Sequence, residues 1–180
     1  MNNPHARNND LSLLHPFVRE VVEKVQKTLN EEEIPFKVFE AYRYPERQSD
    51  LFAKGRTVPG PIVTYAEPWR SYHQYGLAVD FVLYENGTWS WDDSTAAKKK
   101  WWKRMQDLGK KNGLVPLDFE TPHLQLAGTS SSALSKGVYP VGGDDIWAEH
   151  LAAVIAGWQH SPAAPPAPWT PNRPAINGKN

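Results

Sequence analysis

The stretch Leu77-Ala-Val-Asp-Phe-Val-Leu-Tyr84 constrains this chain most. Its branched and aromatic residues read as the best strand in the sequence. Asn86-Gly87 is a strong tight-turn signal and Thr88 to Trp91 forms the return strand, so a β-hairpin is predicted here. The anomaly is Asp80. It shares the parity of Ala78 and Val82, and a carboxylate in such a strand is costly unless a cation or several donors meet it.

The elements around this hairpin mix helix and strand. Phe17, Val18, Val21, Val22, Val25 and Leu29 recur at helical spacing, with Pro16 suited to the first turn. Lys37 to Arg43 alternates as a strand, and Pro45 to Lys54 reads as a short helix stopped by Gly55. Residues 56–70 form a long loop, a length that inside a compact domain points to function or disorder. A helix capped by Asp93 or Ser94 runs to about Asn112, with Trp101, Met105 and Leu108 on its apolar stripe. Leu114 to Pro116 and His123 to Leu126 are short extended pieces, and Thr129 to Ser135 reads as a polar loop. A last helix starts at Asp144 or Asp145. The class expected is α+β, a small antiparallel sheet with packed helices. The division expected is a flexible arm over 1–10, a catalytic domain over 11–140, a helix within 141–160 and a Pro-rich tail over 161–180.

Composition narrows the function classes. Twenty basic residues balance 20 acidic ones, which argues against a nucleic-acid partner. No apolar run is long enough to span a bilayer, so no membrane insertion is expected. The polar first ten residues do not read as a Sec signal. Cysteine is absent, which removes disulfides, thiolate metal sites and a cysteine nucleophile. Several of the eight tryptophans are expected to serve a surface, with Trp147, Trp158 and Trp169 as docking candidates.

The chemistry gathers around Asp80. His73 lies seven residues upstream across Gly76, where the chain can turn sharply and bring both side chains to one point. Imidazole nitrogen and carboxylate oxygen both suit zinc. The third ligand expected is His123, in Glu120-Thr-Pro-His-Leu-Gln125. Two histidines and one carboxylate leave a fourth position open, as in catalytic zinc sites. Glu120, three residues before His123, is placed to move a proton without ligating the metal. Taken singly, each residue has a plainer explanation: His73 as a packed ring, Asp80 as a partner of Arg43, Glu120 as an exposed loop acid. Ser71 beside His73 has no nucleophile-elbow pattern around it and reads as a turn or substrate-binding hydroxyl.

Ser71-x-His73, Gly76-x-Ala78-x-Asp80 and Glu120-x-x-His123 together resemble the zinc D,D-peptidase family. That family includes D-alanyl-D-alanine carboxypeptidases and the L-alanyl-D-glutamate endopeptidases of bacteria and phages. The stretch from Ser71 to Asp80 is most similar to the endopeptidase branch, and so is the upstream segment with Ala41-Tyr-Arg43, Glu46-Arg-Gln48 and Leu51 to Arg56. The resemblance covers about residues 11–128. It implies a Hedgehog/D,D-peptidase-like zinc peptidase fold, with Zn2+ on His73, Asp80 and His123. It implies Glu120 as general base and then acid, and Arg43 holding the scissile carbonyl and its developing oxyanion. Ser71 and Gln48 match positions near the substrate. Many members of the endopeptidase branch carry Asp where this chain has Glu120. The activity implied is hydrolysis of a peptidoglycan stem-peptide amide at L-Ala-D-Glu. The alternatives are a D-Ala-D-Ala carboxypeptidase or a zinc-containing wall-binding module without turnover. Tyr65, Trp69 and Tyr72 are expected to wall the substrate groove. The protein is expected to act as a monomer on the stem peptide, reaching the wall by holin-type release or dedicated export.

Overall fold

The computed structural model describes residues 3–118 and 120–170. Met1 and Asn2 of the arm and residues 171–180 of the tail lie outside the described residues. The elements in order are α1 (Pro16–Glu31), β1 (Phe36–Glu40), α2 (Pro45–Ala53), β2 (Ala78–Glu85), β3 (Thr88–Ser90), α3 (Ala96–Lys111), β4 (Leu114–Leu117), β5 (Glu120–Leu126), α4 (Ser131–Ser135) and α5 (Asp145–Gly157). The sheet runs β1-β2-β5-β4, and β3 pairs with the far end of β2. Every strand pair is antiparallel. This is the α+β class expected.

Strand parity divides the sheet into a core face and a site face. Phe36, Val79, Phe81, Leu83 and Leu124 are buried in one hydrophobic cluster with Val18, Val22, Val25 and Leu29 of α1 and Met105 and Leu108 of α3. Ala78, Asp80 and Val82 alternate onto the other face, as side chains with a period of two must. Phe17, read on the apolar stripe of α1, is 43% exposed instead and lies against Gly113.

Several ends differ from the sequence reading. Thr95, rather than Asp93 or Ser94, caps α3 by accepting from the Lys98 N–H. Thr129 to Ser135 is not wholly loop: the Ser130 side chain accepts from the Ala133 N–H and starts α4. Residues 3–10 lie on the body, with the Arg7 guanidinium over the Phe39 and Trp89 rings and the Asn8 carbonyl accepting from the Ala41 N–H. Beyond α5, Pro165, Pro168 and Thr170 are buried, and Tyr139 Oη donates to the Pro166 carbonyl. Trp147 and Trp158 are not surface residues. Both are buried, donating their indole N–H to the Tyr75 and Pro162 carbonyls. Trp169 is exposed.

Two histidines outside the site, His15 buried and His150 partly buried, make stability depend on pH. His15 caps α1 through Nδ1 and meets the Trp147 ring edge-on at 5.0 Å. His150 packs on Tyr42, with ring centroids 4.6 Å apart. Burial holds both below the ordinary histidine value of 6.5. The unfolded chain therefore binds protons first, so stability is whole above 6.5 and is lost as pH falls through the lower folded values. Urea midpoints are expected to drop between pH 7.5 and pH 5.5. The pair His15→Asn and His150→Gln, which keeps a cap at position 15, is expected to flatten that slope. An unchanged slope in the double variant would assign the acid sensitivity to other groups.

Candidate active site

The site forms where three segments meet on the sheet face away from the core. His73 sits in a buried 3-10 turn, Tyr72–Tyr75. Gly76 ends that turn in the left-handed region, φ 66°, as the sequence anticipated. A Cβ there would lie 2.7 Å from the Leu13 carbonyl oxygen, so only glycine fits. The reversal delivers the chain into β2. Asp80 is then directly opposite His123 of β5 on one side and Glu40 of β1 on the other. Three neighbouring strands thus place Glu40, Asp80 and His123 in one row across the sheet.

The donor atoms converge. His73 Nε2 is 3.2 Å from Asp80 Oδ1 and 3.2 Å from His123 Nδ1, and His123 Nδ1 is 3.1 Å from Asp80 Oδ1. The outer ring nitrogens fix the tautomers. His73 Nδ1–H donates to the Ala41 carbonyl at 2.7 Å, and His123 Nε2–H donates to Gln125 Oε1 at 3.0 Å. Each neutral ring therefore turns a lone pair inward, toward the carboxylate. Two lone pairs and an anion at such separations repel unless a cation sits among them. Ligands about 2.0–2.1 Å from a tetrahedral ion lie about 3.3–3.4 Å apart, close to this triangle. The donor set thus fits a metal ion, and His73, Asp80 and His123 are the group that could hold one. Gln125 and the Ala41 carbonyl act as the outer partners that orient ligating histidines.

Charge reinforces the fit. Burial pushes the Asp80 carboxyl up, but the adjoining His73 and His123 rings more than offset this and hold it well below its ordinary value. Burial lowers His123, yet the Asp80 carboxylate beside it, with Glu120 adding to it, raises it. The site draws positive charge inward.

Arg43 lies beside this triad. Its Nε and Nη2 donate to Glu40 Oε2, Nη2 also to Asp80 Oδ2, and Nη1 to Gln48 Oε1. Burial opposes its charge, but Glu40 and Asp80 outweigh that and raise it. A guanidinium has five N–H donors. Four are engaged here, which leaves one on Nη1. The ion pair with Asp80 and Glu40 and a place in the cleft therefore coexist in one residue.

An open cleft of about 340 Å³ borders the triad. Arg43, Ser71, His73, Glu120 and His123 all line it, as do Tyr65 and Tyr72. Two expectations are corrected. Gln48 is fully buried and does not line the cleft: its Oε1 accepts from Arg43 and its Nε2 donates to the Ala66 carbonyl at 2.7 Å. It braces Arg43 and the 56–70 loop and has no free group for a substrate. Trp69 is buried against Tyr75 and Trp158 and walls no groove. Glu40 had no role in the sequence reading. It is 1% exposed and bridges Arg43 and Arg47. Its visible signal was a carboxylate closing an apolar strand. Gln125 was visible by its parity with His123, whereas the Ala41 carbonyl leaves no trace in side-chain identity.

Residues 11–128 match the family model described as VanY, D-alanyl-D-alanine carboxypeptidase. The chain belongs to the VanY family. It is 35% identical over 104 residues to the peptidoglycan L-alanyl-D-glutamate endopeptidase CwlK of Bacillus subtilis (strain 168). That match takes in 56% of this chain and 62% of CwlK, so the chain spans less than two thirds of that relative. The solved structure of the LdcB LD-carboxypeptidase superposes with a TM-score of 0.50 at 22% identity, covering 67% of this chain and 62% of LdcB. The VanY-family chain therefore has the peptidase-like fold expected of it. No described helix is long and apolar enough to cross a membrane.

Proposed function

We propose that this chain hydrolyses a stem-peptide amide of peptidoglycan at L-Ala-D-Glu, with Zn2+ held by His73, Asp80 and His123. The observation that carries this reading is the inward convergence of two imidazole lone pairs and a carboxylate beside a cleft that Glu120 and Arg43 share. The likeness to CwlK supports the endopeptidase bond. The family description supports a second reading, removal of a terminal D-Ala. A carboxylate of Glu120's kind in the cleft argues against a module that only binds, since binding alone has no use for a base.

An ion in this donor set supplies a Lewis acid and a lowered pKa for the attacking water. Glu120 takes the proton of that water and returns it to the leaving nitrogen. Arg43 offers its remaining Nη1–H to the carbonyl oxygen as negative charge develops there. Glu40, Asp80 and Gln48 fix the guanidinium beforehand, so little reorganisation accompanies the reaction. Ser71 sits at the cap position just before the turn but caps nothing with its side chain. Its hydroxyl is free to meet the peptide at the cleft wall.

Mass spectrometry of purified muropeptides after incubation with the zinc-loaded protein tests this. The expected product is a peptide beginning at D-Glu, with L-Ala left on the sugar. Loss of a single D-Ala would select the carboxypeptidase. No product from several wall types, with zinc bound, would overturn hydrolysis altogether.

A further inference from the structure

Two arginines line the cleft, and they are in opposite states. Arg43 is buried and nearly saturated by Glu40, Asp80 and Gln48. Arg70 is exposed. Among the described residues it has no ion pair and no side-chain hydrogen bond.

The backbone presents Arg70 deliberately. Trp69, a bulky residue, is held in the left-handed region at φ 64°, a strained conformation that persists only when its surroundings impose it. Those surroundings are the Trp69 ring buried against Tyr75 and Trp158, and the Tyr75 hydroxyl donating to the Trp69 carbonyl at 2.9 Å. The Arg70 N–H closes a turn onto the Glu67 carbonyl. The reversal sends the indole into the core and leaves Arg70 and Ser71 on the cleft wall, three and two residues before His73.

We infer that Arg70 is an anion subsite that receives the free carboxylate of the residue carrying the leaving amine. This rests on the hydrolysis proposed above and narrows its substrate. The chemistry is common to both bonds considered. A D-Glu acylated on nitrogen has two carboxyl groups, and the peptide continues through only one. The other is a free anion unless amidated. A terminal D-Ala has its own carboxylate. Either way the leaving residue carries a negative charge within a few bonds of the nitrogen. A planar fork of donors suits a carboxylate and gains far less from a carboxamide, which lacks the charge.

The test compares kcat/KM on matched stem peptides, one with the free D-Glu carboxylate and one with that group as carboxamide. A second pair ends in D-Ala or in its carboxamide. The wild type is expected to favour the acid by about tenfold, the low end for a charge-assisted contact at an exposed arginine. Arg70→Gln should bring the acid-to-amide ratio close to one, and Arg70→Lys should retain part of it. Equal rates on acid and amide in the wild type, or a ratio unchanged in Arg70→Gln, would overturn the subsite while hydrolysis stands. No cleavage of any of the four peptides by zinc-loaded wild type would overturn hydrolysis, and the subsite with it.

Discussion

Glu120→Gln is expected to lower kcat about 1,000-fold, the middle of the range for losing a positioned general acid–base. The isosteric amide keeps the shape of the cleft wall but cannot accept the proton. Zinc content, read by elemental mass spectrometry, should stay that of the wild type, because His73, Asp80 and His123 converge without Glu120. KM should move far less than kcat, since the lost interaction belongs to the transition state. A variant that loses its zinc would make Glu120 a ligand, and a variant with full turnover would remove it from catalysis. Glu120→Asp separates reach from chemistry. It keeps the carboxylate but withdraws it by one methylene, and partial activity is the expected result.

The second large effect concerns the metal. Three donors 3.1–3.2 Å apart, with lone pairs turned inward, are an electrostatic burden on the fold until a cation joins them. Ion binding to the native state alone therefore raises stability. With free zinc at a thousand times its dissociation constant the gain is about 4 kcal/mol, or roughly 8–16 °C in Tm for a chain of this size. Chelation should lower the melting temperature by about that much, and added zinc should restore it. In Asp80→Asn the chelator-dependent shift should vanish, because the amide neither carries the charge nor binds zinc comparably. Arg43 keeps Glu40 as a partner in that variant, so the protein should still fold. A wild type whose melting point ignores both chelator and zinc would refute the metal assignment.

Much of this was legible from residue order, for reasons that are local. Periodicities of two and 3.6 mark β2, α1 and α3 because side chains alternate across a strand and recur on a helix face. Asp80 stood out because a charge in such a strand demands a partner. Gly76 announced the reversal that carries His73 back toward it. His123 and Glu120 joined the set through their spacing and the family pattern. Their meeting across 43 residues is a matter of register: β2 and β5 pair so that Asp80 faces His123, and a slip of one residue would turn one of them into the core.

What the linear pattern could not convey were contacts between distant groups and choices between faces. Gln48 looked like a substrate contact, yet packing spends both ends of its amide on Arg43 and Ala66. Trp69, Trp147 and Trp158 looked available to a surface, and burial took all three. The Ala41 carbonyl that sets the His73 tautomer is a backbone group, invisible in residue identity. Glu40 gained its place only when β1 docked beside Asp80. Local chemistry names the residues able to hold a cation or move a proton. Three-dimensional packing decides which donors are already spent and which, like the last N–H of Arg43, stay free to act.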